Sequence, residues 1–239
     1  RDVYKRQVQD PFTTFYDAKV VADFVAFIQK LGFKPVVLPY KPTGKAQHIK
    51  GFLSKFAKTA KNQADFLNRI AKLGLPMVAL DPALTLLYRD EYRDILKAER
   101  GDFKVLLAHE WLIEQIKSGV LDNCKKAKET DHLPWHLFAH CTETTELPAS
   151  NKEWQQIFAH FGETLVSEKV GCCGMAGTFG HENAHLEISK AIYQQSWQQK
   201  LKNAPLERCL ATGYSCRSQV KRMEHQQIKH PIQALLSII

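Results

Sequence analysis

The feature that most limits what this chain can fold into is a regular alternation. Short apolar runs of strand length are each followed by a stretch with apolar residues at helical spacing, closed by a glycine. Asp17 to Leu31 carries Val20, Val21, Phe24, Phe27, Ile28 and Leu31 on one helical face and stops at Gly32. Pro35 to Leu38 then reads as a buried strand, Pro39 to Gly44 as a loop, and Ile49 to Leu73 as a long helix closed by Gly74. Met77 to Leu80 is a second strand, turned by Asp81-Pro82 into a helix from Leu84 to Leu96; a strand at Phe103 to Val105 and a helix through Ile116 follow. Such an order predicts an α/β fold with a mostly parallel sheet.

Gly119 to Pro134 breaks the rhythm with a polar, lysine-rich connection that reads as a linker. Beyond it the order returns: strand Trp135 to Ala139, helix Glu153 to Phe161, strand Thr164 to Ser167, helix Glu182 to Lys200, strand Cys209 to Thr212 and helix Ser215 to Glu224. This is an internal repeat, dividing the chain into a first copy over 8–118, the linker 119–134 and a second copy over 135–239. Superposed, Leu31-Gly32-Phe33 matches Phe161-Gly162-Glu163, and the Pro39 to Gly44 loop falls on Gly171 to Gly177. Residues 1–7, Arg-Asp-Val-Tyr-Lys-Arg-Gln, spell the in-frame translation of a transposase adapter used in sequencing libraries. They are expected to be an artefact outside the fold, joined to the C-terminal fragment of a longer protein.

At 239 residues with 44% hydrophobic content, the chain can bury a real core. No apolar run reaches spanning length, so no transmembrane segment is expected. Six unevenly spaced cysteines do not form a secreted disulfide framework, which points to a reducing, cytoplasmic compartment and to thiols that bind metal or do redox chemistry. The net charge of +8 raises the question of nucleic acid. The lysines between Lys41 and Lys61 follow a helical pattern with no recognised DNA or RNA motif beside them, so no nucleic-acid partner is expected. A solvated basic face, or one that docks an acidic protein surface, accounts for them better.

The chemistry concentrates in Val170-Gly171-Cys172-Cys173-Gly174-Met175-Ala176-Gly177-Thr178-Phe179-Gly180. Adjacent thiols bridge each other only with a strained ring, so they are better placed to face a shared external partner, most simply a metal. Glycines on both sides permit a close backbone approach and amides aimed at sulfur, which makes Gly174 and Gly177 cofactor-cradling positions.

Cys141, then Cys172-Cys173-Gly174, then Cys216 at the start of a helix resembles the cysteine-rich domain found twice in one component of heterodisulfide reductase and in the iron-sulfur subunits of glycolate oxidase and anaerobic glycerol-3-phosphate dehydrogenase. Long stretches (Val8 to Tyr16, Gly74 to Tyr92, Val170 to Gly180, Cys209 to Arg222) further resemble the C-terminal end of the bacterial FAD-linked, iron-sulfur-containing D-2-hydroxyglutarate dehydrogenases. The resemblance covers essentially the whole chain after Gln7. It implies two tandem Rossmann-like cysteine-rich-domain repeats with mostly parallel sheets. The site it implies is an iron-sulfur cluster, or zinc, held by Cys141, Cys172, Cys173 and Cys216. It also implies FAD in a flavin domain upstream, a ferredoxin-like segment of the same chain, and an electron-acceptor protein or quinone as redox partner. A location in the cytoplasm, or peripheral to the inner membrane, goes with it, and the fragment alone would be inactive, with no catalytic residue of its own. Many members carry Cys-x-x-Cys before the last helix; here the first of these positions is Gly213, leaving Cys209 as the fifth candidate ligand, against the plainer reading of a buried strand cysteine.

Because loops after the carboxyl ends of parallel strands gather on one edge, Cys141, Cys172-Cys173 and Cys216 are expected to meet, with Cys209 below that edge. His140, His181 and His185 are further donors, although such histidines are more often surface groups. Arg217, Lys221 and Arg222 either hold an anionic cluster or substrate carboxylate or form a solvated face. Cys124, His109, His132 and His160 belong to no constellation. Two classes therefore remain: a redox domain taking electrons from flavin, and a zinc-holding structural or docking module.

Overall fold

A computed structural model describes residues 4–124 and 133–239 of the chain. It divides into two units, residues 1–111 and 112–239. The division falls inside a helix rather than at the expected connection, whose residues 125–132 lie outside the described ones; His132 is among them. Within that connection Leu121 is fully buried, and its carbonyl accepts from His160 Nε2 at 3.1 Å.

The first unit runs β1 (Tyr4–Gln7), α1 (Pro11–Phe15), α2 (Ala18–Lys30), β2 (Lys34–Val37), α3 (Lys45–Ile49), α4 (Leu53–Ala71), β3 (Met77–Ala79), α5 (Pro82–Leu87), α6 (Glu91–Leu96) and β4 (Val105–Leu107). All described pairings are parallel, in the order β2-β1-β3-β4. The expectation that residues 1–7 lie outside the fold is not met for Tyr4–Gln7, which pairs with Lys34–Val37 on one side and Met77–Val78 on the other. Strand pairing is made by backbone groups that every non-proline residue carries, so any short extended segment preceding Val8 can satisfy both neighbours. Helix α4 buries Phe56, Ala60, Gln63, Ala64 and Leu67, a stripe at spacings of three and four, against Val8, Leu38, Met77 and Ala79. The helix expected over 49–73 starts instead at Leu53, because Gly51 takes φ of 75° between it and α3, which ends at Ile49.

The second unit begins within α7 (Ala108–Lys117) and continues β5 (Trp135–Phe138), α8 (Cys141–Glu146), α9 (Ser150–His160), β6 (Leu165–Ser167) and α10 (Leu186–Tyr193). A π turn (Gln194–Gln198) leads into α11 (Gln199–Leu201), then β7 (Cys209–Ala211), α12 (Tyr214–Glu224) and α13 (Pro231–Ile238). Its sheet is parallel, ordered β6-β5-β7, with β5 central. Both units are thus α/β with all-parallel sheets, as the alternation requires. Phe138, Tyr193, Trp197, Leu201, Ala211 and Val220 form the core on one side of the second sheet, and Cys173, Cys209 and Cys216 belong to the same cluster. No helix among the described residues is long and apolar enough to cross a membrane.

Candidate metal centre

Three connections leave the carboxyl edge of the second sheet, and each delivers cysteine. After β5, His140 takes extended backbone and caps α8, its Nδ1 accepting from Thr142 N at 3.2 Å, which sets Cys141 at the first helical position. After β6 the chain enters the glycine-rich loop with Cys172 and Cys173. After β7, Gly213 precedes α12, and Cys216 is the third residue of that helix.

The three connections converge. The thiols of Cys141 and Cys173 are both hydrogen-bonded with Cys172, Cys173 is hydrogen-bonded with Cys216, and Cys141 lies close enough to Cys216 for mutual charge repulsion. Cys141 is exposed, Cys172 half-buried, and Cys173 and Cys216 are buried at 4% and 2% exposure, so the set runs from solvent into the core. The backbone amide of Gly174 donates to Cys172 Sγ at 3.3 Å, that of Ala176 reaches the same sulfur, and those of Met175 and Thr142 reach Cys173 and Cys141. No helix follows Cys173 directly. Turns at Phe179–His181 and Asn183–His185 precede α10, and loop amides rather than a helix N-terminus reach the sulfur of Cys172.

Charge in this set is uneven. Hydrogen bonds from Cys141 and then Cys173, with the amides of Gly174 and Ala176, pull Cys172 down to about 2 against the cost of burial. Donating to Cys172 pushes Cys141 up, with burial and Cys216 adding to it; Cys173 is pushed up by Cys172, then Cys216, then burial. These contacts favour negative charge on the Cys172 sulfur over those of Cys141 and Cys173.

Among the described residues no group of three or more His, Cys, Asp or Glu side chains stands as a ready-made metal-ion site. The sulfurs are turned to one another through S–H contacts, and binding a metal would replace those protons with the metal itself. The donor chemistry fits a thiolate-held group all the same: four sulfurs from three loops, with amides already directed at three of them.

Gly174 has φ of 90° and Gly177 of 71°, and a Cβ on Gly174 would collide with the Ser189 carbonyl oxygen. Cys209 stands apart from the four. It opens β7, at the end of the strand opposite the loops, and its Sγ donates to Pro205 O at 3.4 Å. Burial, then Glu168 and Glu207, pushes it up to about 12, and none of the other cysteines contributes. At position 213 a Cβ would collide with His140 Cδ2, so a cysteine there would displace the cap of α8. His185 stacks on Phe179 at 4.1 Å and faces Glu182, and His140 is occupied as a cap. His181 is exposed, its pKa lowered by partial desolvation and by Arg222.

Sequence reasoning missed a buried polar support. Glu143, fully buried, accepts from Thr212 Oγ1 at 2.5 Å, from Trp154 Nε1 at 3.3 Å and from Ser150 Oγ, while Thr212 Oγ1 accepts from His140 N at 2.9 Å. It ties the start of α8, two residues after Cys141, to the end of β7, four residues before Cys216. Arg217 belongs to the same support: buried rather than solvated, its Nη1 donates to Ala211 O and Thr212 O, each at 2.9 Å. In the sequence Glu143 is one of two glutamates among the threonines of Cys141–Glu146, indistinguishable from solvent-facing polarity.

No protein-family model matches the chain. Among curated proteins it is 59% identical to D-2-hydroxyglutarate dehydrogenase of Haemophilus influenzae over 97% of its own length and 23% of that protein's. With the Escherichia coli protein of the same name the figures are 59%, 97% and 22%, and with that of Pseudomonas putida 44%, 96% and 22%. One subunit of the anaerobic glycerol-3-phosphate dehydrogenase of Escherichia coli is 24% identical over 77% of the chain and 46% of that protein. The chain thus spans less than a quarter of the length of the dehydrogenases it matches. A crystal structure of a putative Asp/Glu racemase from Yersinia pestis overlays with a TM-score of 0.39 at 11% identity, covering 99% of this chain and 96% of the other, a likeness too slight to argue from.

Proposed function

We propose that this chain is the metal-binding, electron-handling C-terminal part of an FAD-linked dehydrogenase that oxidises a D-2-hydroxy acid, D-2-hydroxyglutarate by its relatives' name. The observation that carries the reading is the meeting of Cys141, Cys172, Cys173 and Cys216 on one sheet edge, in a chain 59% identical to dehydrogenases of that name. An iron-sulfur cluster, when bound there, would supply a one-electron carrier. The chain's own residues do the rest. Cys172 is the sulfur on which negative charge is most favoured, the amides of Gly174, Ala176, Met175 and Thr142 stabilise negative charge on sulfur, and the Glu143–Thr212 link fixes two of the three loops.

Oxidation of the hydroxy acid then belongs to a flavin domain elsewhere in the longer polypeptide. A ferredoxin-like segment of that polypeptide passes electrons, an acceptor protein or a quinone receives them, and the protein works on the cytoplasmic side, at most peripheral to the membrane. The fragment alone oxidises nothing. A second reading has its own support: four thiols within contact of one another also make an all-cysteine set, the donor pattern of closed structural zinc sites. The first reading is tested by expressing the complete polypeptide and assaying FAD-dependent oxidation of D-2-hydroxyglutarate. Stoichiometric flavin and turnover are expected, and a complete protein that binds no flavin contradicts it.

A further inference from the structure

Arg222 neither lies on a solvated face nor points at an anion. From α12 its Nη1 donates to Gly180 O at 2.5 Å, and its Nη2 to Ser189 Oγ at 3.0 Å and to Gln219 Oε1 at 2.6 Å. Gln219 Nε2 closes the ring by donating to Ser189 Oγ at 3.1 Å, and both Gln219 and Ser189 are fully buried. This ring seizes the two-cysteine loop by its far end. Gly180 N donates to Met175 O at 2.9 Å, and a Cβ on Gly180 would lie 2.7 Å from Gly174 O and from Ser189 Oγ. Residues 174 to 180 are therefore folded back on themselves and pressed against α10 with no room for a side chain at either end. Gly174, at the near end, is the residue whose amide holds Cys172.

The same helix carries Cys216 nearly two turns earlier, roughly 9 Å along its axis. One element thus sets both the final cysteine and, through the guanidinium, the loop that presents Cys172 and Cys173. A planar fork with fixed donors suits that task, because it defines direction as well as distance.

We propose that Arg222 is a positioning residue for the four-cysteine site: together with Gln219 and Ser189 it clasps the loop 174–180 so that Cys172 and Cys173 meet Cys141 and Cys216. The proposal rests on reading those four cysteines as one ligand set, and its test separates the two. The complete dehydrogenase is compared with Arg222→Met, which keeps the length of the side chain, Arg222→Lys, which keeps the charge but not the fork, and Lys221→Met, an exposed neighbour. In reduced protein stripped of metal, the alkylation rate of the buried Cys173 by iodoacetamide is followed by mass spectrometry. Loss of the clasp opens the loop locally, so a rise of about tenfold is expected for Arg222→Met, a smaller one for Arg222→Lys and none for Lys221→Met. In metal-loaded protein the release of metal to excess chelator should follow the same order. Alkylation of Arg222→Met at the wild-type rate overturns the clasp whatever the metal content. Wild-type protein that takes up no metal overturns the ligand-set reading instead, and an alkylation difference then still upholds the clasp.

Discussion

Thr212 and Glu143, 69 residues apart in sequence, meet through a 2.5 Å hydrogen bond from hydroxyl to carboxylate that pins the end of β7 to the first turn of α8. Thr212→Val keeps the shape and removes the donor, leaving a fully buried carboxylate short of a partner and His140 N without its acceptor. The expected loss is about 1–3 kcal/mol in urea unfolding, with Thr212→Ser recovering most of it. A valine variant as stable as wild type would remove Glu143 from the account of the site.

The two glycines of the loop should differ in cost. Gly174→Ala meets both a left-handed backbone at φ of 90° and a collision with the Ser189 carbonyl oxygen, whereas Gly177→Ala meets the backbone penalty at φ of 71°. About 1 kcal/mol is expected for Gly177→Ala and clearly more for Gly174→Ala, read from thermal unfolding. Equal costs would mean that Gly174 is not pressed against α10.

In the first unit Asp10 caps α1 while almost wholly buried, and burial, then the charge of Asp81, pushes its carboxyl up to about 6. A carboxyl raised from about 3.8 binds more protons folded than unfolded between those two values. Its contribution to stability is therefore most favourable below pH ~4 and is lost as pH rises to ~6, by up to about 3 kcal/mol. Asp10→Asn retains a capping oxygen and does not titrate. Measured against wild type, it should become relatively more stable from pH 4 to pH 7; a difference that stays flat across that range contradicts the raised carboxyl.

The fold was largely legible because its signal is periodic. Gly32, Gly74 and Gly162 stop helices where the pattern ends, and the apolar runs at Met77 and Trp135 became central or inner strands. What the pattern could not carry was local. Gly51 moves a helix start to Leu53 through one backbone angle, and α8 starts at Cys141 because His140 supplies a cap that histidine rarely signals. The convergence of Cys141, Cys172, Cys173 and Cys216 followed from topology, since parallel strands put their following loops on one edge. The role of Arg222 did not follow from it. A basic residue late in a helix looks like a solvated side chain until the carbonyl it holds, Gly180 O, is brought to it by the fold.

Cys209 offers the contrast that isolates the site. Buried at the start of β7 with its thiol on Pro205 O, it packs as a small apolar residue. Cys209→Ala should cost about 1 kcal/mol of stability, and the bound metal should be unchanged in amount and spectrum; loss of metal in this variant would return Cys209 to the ligand set.

The most direct measurement is the metal content and visible spectrum of the complete protein purified without oxygen, taken for wild type and for Cys172→Ser. Thiolate-bound metal is expected in the wild type, with the broad visible charge-transfer absorption of an iron-sulfur centre, and its loss in Cys172→Ser. Metal retained in full by Cys172→Ser, or none bound by the wild type, would contradict the four-cysteine site.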